Sequence, residues 1–81
     1  MIIKELDVRE LPQKWKHSTI FETFNSLNVG DVLQLVNDHD PTPLKFQFFV
    51  EHAESHHWEY IECGPDIWRI NITKLERKKV I

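Results

Sequence analysis

The run Leu35-Val36-Asn37-Asp38-His39-Asp40-Pro41-Thr42-Pro43 constrains the fold more than any other stretch of the 81-residue chain. It ends an apolar strand in three consecutive titratable residues. Its two prolines then stop the strand and admit a helix. Asp40 is placed to cap that helix, with Pro41 at its first position and Pro43 still inside the first turn. Upstream, Val32-Leu33-Gln34-Leu35-Val36 is apolar at both parities. That pattern predicts a strand buried on both faces or central in its sheet.

The remaining elements follow from periodicity. Ile2 to Val8 reads as a first strand, with Ile2, Leu6 and Val8 toward the core and Lys4 breaking the stripe. Pro12 to Lys16 reads as a loop that holds Trp15. A first helix is expected from Ser18 to Leu27, with Ile20, Phe24 and Leu27 on one stripe. Ser18 is a candidate N-cap, and Thr19 with Glu22 offers a capping box one residue later. Asn28 and Gly30 supply the stop. His17 then stands at the helix's N-terminal mouth.

In the second helix Phe46, Phe49, Val50 and Ala53 have helical spacing, with Leu44 and Phe48 widening the apolar face. Trp58 to Cys63 and Ile67 to Lys74 read as two strands of a hairpin around Gly64-Pro65-Asp66. The order is βαβαββ. It predicts an α+β protein: one domain spanning residues 1–81, a two-layer α/β sandwich. Its four-stranded mixed sheet carries two helices on one face, and its first two strands are parallel.

Size and charge limit the function. A chain this short buries only about 60–65% of its unfolded surface, so a site is expected in a surface groove rather than an enclosed cavity. The net charge of −3 argues against nucleic acid. The basic cluster Arg77-Lys78-Lys79 reads as a solubilising tail. Cys63 is the single cysteine, which excludes an intrachain disulfide and fits a reducing compartment. No signal-like or membrane-spanning segment is read, so a cytoplasmic location is expected.

The frame Leu6-Asp7-Val8-Arg9-Glu10-Leu11, Leu27-Asn28-Val29-Gly30-Asp31 and Asp38 to Pro41 resembles the TusA/SirA-like family of small sulfur-carrier proteins. The resemblance implies their βαβαββ fold. Sulfur chemistry in that family rests on a Cys-Pro-x-Pro motif just after the first strand. Gln13-Lys14-Trp15-Lys16 stands there in this chain, so persulfide carriage does not transfer. A larger set resembles the branch called domain of unknown function 2249. It comprises Leu6 to Arg9, Leu11-Pro12, His17, Ile20-Phe21, Asn37 to Pro41, Pro43-Leu44, Trp58-Glu59-Tyr60, Gly64-Pro65 and Trp68. That resemblance implies company with hemerythrin-like or other redox proteins and a link to redox or nitrogen-oxide metabolism. It brings no activity.

Four constellations bear on chemistry. In a parallel βαβ unit the loops after both strands open on the same sheet edge, where ligands bind in α/β sheets. His17, Asp38, His39 and Asp40 are therefore the candidate ligand-binding set. His17 and His39 are the candidate ligands of a transition metal such as zinc or iron. The competing reading is local: Asp40 caps a helix, Asn37 and Asp38 satisfy loop backbone groups, and the histidines bond to neighbours. His52, His56 and His57 read as an exposed polar connection. Cys63 reads as a small packed side chain, because Glu62 and Asp66 oppose a thiolate. Trp58, Tyr60 and Trp68 read as core, or as a face that docks a redox partner or a second copy in a homodimer. The sum points to a small non-catalytic binding or accessory module. The alternative is a metal-binding protein using His17 and His39 with nearby carboxylates.

Overall fold

The computed structural model describes residues 1–76. The Arg77-Lys78-Lys79 cluster lies outside the described residues. The elements are β1 (Ile3–Asp7), α1 (Gln13–Ser26), β2 (Val32–Asn37), α2 (Thr42–Glu51), β3 (His56–Cys63) and β4 (Trp68–Lys74). Sheet order is β1-β2-β4-β3. β1 and β2 are parallel, and β4 is antiparallel to both β2 and β3. The predicted βαβαββ order and mixed sheet are thus observed.

β2 sits between β1 and β4, which explains its apolar residues of both parities. Leu33 and Leu35 pair with Ile72 and Ile70 of β4. All four are fully buried, in one cluster with Val8, Ile20 and Phe24, and with Leu44 and Phe48 of α2. Both helices therefore cover the same face. The Phe48 ring joins them, stacked on Phe21 at 4.5 Å and edge-on to Phe24 at 5.0 Å. The opposite face is polar and self-paired. Gln34 Nε2 donates to Asn71 Oδ1 at 3.0 Å, and Arg69 Nε donates to Glu62 at 2.8 Å. The aliphatic parts of such long chains cover Val32 and Val36, which are buried on that face.

Several boundaries differ from the sequence reading. α1 begins a full turn early, at Gln13 after Pro12. Proline suits a helix start, because the N–H it lacks would be unpaired there anyway. Trp15 is consequently helical and 54% exposed. Ser18 is no cap: its Oγ donates to the Trp15 carbonyl within the helix. Gly30 adopts φ 93°, the left-handed region that closes the helix exit. Lys74 Nζ reaches back to the last carbonyls of α1, 2.7 Å from Leu27 O.

α2 is rotated from the expected phase. Leu44 and Phe48 face the sheet, whereas Phe46, Phe49 and Val50 are 65%, 66% and 78% exposed. The helix also ends at Glu51, so Ala53 extends no stripe. β3 begins at His56, which removes the expected polar connection. His56 Nδ1 donates to the His52 carbonyl at 2.6 Å, and the His52 ring packs among Phe21, Phe24 and Phe48. No described helix is long and apolar enough to cross a membrane.

Candidate functional site

The carboxyl ends of β1 and β2 lie side by side, tied by Val8 N–H to Val36 O at 3.0 Å. Each strand feeds directly into a helix, so the N-termini of α1 and α2 open at this edge. Between them lies a cleft of about 160 Å³. Val8, Ile20 and Leu44 supply its apolar lining, with Pro41 and Pro43 at the α2 entry. Its polar groups come from Gln13, Lys16 and His17 of α1, Asn37 at the end of β2, and His39.

The two histidines expected to converge do line this one cleft, and they are held alike. His17 Nδ1 donates to Gln47 Oε1 of α2 at 2.7 Å. His39 Nδ1 donates to Asp38 Oδ1 at 2.6 Å. Neither Nε2 has a hydrogen-bond partner among the described residues. The His39 hydrogen bond, with the charge of Lys16 adding to it, holds the Asp38 carboxyl below the usual carboxylate range. Asp38 is itself exposed.

Asp40 behaves differently from expectation. It makes no cap: the N-cap position of α2 is Pro41, without a side-chain hydrogen bond. Asp40 Oδ1 instead accepts from the Tyr60 hydroxyl at 2.9 Å, and Asp40 is not among the cleft's lining residues. Burial, then this hydrogen bond, raises the Tyr60 pKa. Asn37 also departs from its expected role. It is 4% exposed, and its Oδ1 is sealed from solvent with no hydrogen-bond partner.

Lys16 escaped the sequence reading. It is 7% exposed and forms no hydrogen bond or ion pair among the described residues. Its signal was present but hidden by the helix boundary: Lys16, Ile20 and Phe24 are spaced by four and share one face once α1 starts at Gln13.

The other constellations lie elsewhere. Cys63 is exposed at the end of β3. Trp58, Tyr60 and Trp68 pack partly buried against the core as a row of edge-on rings, with centroids 6.1 and 6.3 Å apart. The large exposed apolar side chains are instead those on the outer side of α2. Among the described residues no group of three or more His, Cys, Asp or Glu side chains is arranged to hold a metal.

Of known families, the one described as an uncharacterized conserved protein matches residues 5–74. No curated protein and no solved structure matches the chain.

Proposed function

The chain belongs to the DUF2249 family, and we propose that it is a small non-catalytic binding or accessory module whose ligand occupies the cleft between α1 and α2. One observation carries this reading. Asn37 is buried in the cleft's lining with its Oδ1 unpaired, beside two histidines whose Nε2 atoms are uncommitted. Buried polar atoms are nearly always satisfied, and an orphan calls for a missing partner. The lining carries no hydroxyl, thiol or carboxylate side chain. Covalent catalysis by the commonest nucleophiles thus has no group to use.

Protein-observed NMR against mixtures of small metabolites tests the proposal. Amide shifts are expected to cluster at Val8, His17, Asn37 and Leu44, with the ligand recovered unchanged. Leu44→Phe, which fills the cleft, is expected to abolish them. Shifts confined to the outer side of α2, or conversion of the ligand, would overturn it.

A metal reading has its own support. Each histidine has Nδ1 fixed by a side-chain oxygen, the second-sphere arrangement that orients imidazole for coordination through Nε2. A shared tetrahedral ion would need those nitrogens about 3–4 Å apart. The Lys16 ammonium in the same lining works against a dication, which ranks this reading second. Metal analysis of protein purified without an affinity tag, repeated on His39→Ala, tests it. Stoichiometric metal lost in the variant would favour it.

A further inference from the structure

We propose that the cleft ligand is a small anion, a carboxylate or oxyanion that pairs with Lys16 and serves as the missing cap of both helices. The proposal rests on the reading of the cleft as the binding site and names the ligand's chemical class.

Three observations point the same way. Lys16 is 93% buried, lines the cleft and has no counter-ion in contact. Removing an ammonium from water without a partner is costly, and such a group is retained where something else neutralises it. The one carboxylate that acts on it is Asp38, which is exposed and hydrogen-bonded to His39.

Second, both helices begin at this edge uncapped. Pro12 and Pro41 occupy the N-cap positions, neither start has a side-chain cap, and neither first turn holds an acidic residue. The N–H groups of two helix starts therefore lack the acceptor that Ser, Asp or Asn would give. An anion there meets two favourable dipole ends at once. α1 and α2 run 14 and 10 residues, long enough for that field to develop.

Third, the remaining polar lining is rich in donors. Gln13 and Asn37 each carry an amide NH₂, and the imidazoles of His17 and His39 become donors at Nε2 when protonated. No acidic side chain lines the cleft. The volume of about 160 Å³ suits a headgroup of a few heavy atoms.

Acetate and acetamide make the test, because they match in shape and differ in charge. Inorganic phosphate is the oxyanion arm, and sodium chloride holds ionic strength constant throughout. Saturable shifts at Gln13, Lys16, Thr42 and Leu44 are expected with acetate or phosphate in the millimolar range. Acetamide is expected to bind about tenfold or more weakly, as a charge-assisted bond becomes a neutral one. The stronger of acetate and phosphate identifies the headgroup. Lys16→Met should melt at or above the wild-type temperature yet lose the acetate response, and Lys16→Arg should keep it.

Equal binding of acetate and acetamide would overturn the anion assignment and leave the cleft standing. No response to any of the three probes would overturn both readings. Undiminished acetate binding by Lys16→Met would overturn the role given to that lysine.

Discussion

The Tyr60 hydroxyl donates to Asp40 Oδ1 across 2.9 Å, joining an edge strand to the loop that leads into α2. That bond decides what Asp40 does. Were Asp40 a helix cap, its removal would weaken α2 whatever stood at position 60. As the partner of Tyr60, it should be coupled to it. Asp40→Ala and Tyr60→Phe are each expected to lower stability by about 1–2 kcal/mol. The double variant should lose clearly less than the sum, as urea denaturation read as a double-mutant cycle will show.

Asp31 gives the expected acid limb of stability. Its carboxylate accepts from the backbone N–H of Ile2 and of Asn28, each at 3.0 Å. These bonds, first that of Ile2 and then that of Asn28, lower its pKa from 3.8. A carboxyl depressed in the folded state stabilises fully above its unfolded value and loses that contribution as pH falls through the folded one. Asp31→Asn should therefore be less stable than wild type above pH 3.8, with the difference shrinking on acidification. Thermal melts across an acid pH series measure it.

Two glycines at left-handed φ should respond unequally to alanine. At Gly64, φ is 81° and an added Cβ would lie 2.9 Å from Trp68 Nε1. At Gly30, φ is 93° but the same Cβ would meet open space. Gly30→Ala is expected to cost only the conformational strain, about 1–2 kcal/mol. Gly64→Ala adds displacement of an indole, so its loss should be larger and accompanied by altered tryptophan fluorescence.

Lys74 closes the far end of α1. Its ammonium lies 3.1 Å from Asn25 O and 2.7 Å from Leu27 O, where the helix dipole is negative. Lys74→Met keeps the stem and removes the charge. A loss of about 1 kcal/mol is expected. Faster amide exchange should appear in the last turn of α1 and not in α2.

Periodicity served well wherever one face of an element was committed to the core. Trp68, Ile70 and Ile72 alternate with Arg69, Asn71 and Thr73, and β4 has that alternation. Ile20 and Phe24 are buried as their spacing requires. Pro12 was harder, because a proline that ends one element can equally begin the next. Misplacing that single start hid Lys16, whose burial makes sense only in a helix that begins at Gln13. In α2 nearly every residue is apolar, so composition could not select the phase. The sheet selected Leu44 and Phe48. Asp40 is beside a helix start in sequence, yet its partner Tyr60 lies twenty residues away on β3. Local pattern carries no trace of such a bond. The convergence of His17 and His39 was legible because parallel topology alone brings the two loops to one edge.

β4 is last in the chain order of strands but lies second from one edge of the sheet, zipped to β2 along one side and to β3 along the other. It is therefore the keystone of assembly. Until residues 68–74 are in place, the β1–β2 pair and β3 have no ladder in common, and half of the core's wall is missing. Folding must wait for that segment during synthesis, and the whole domain should then set in one cooperative step. A chain cut before Trp68 would keep every cleft-lining residue and still have no cleft.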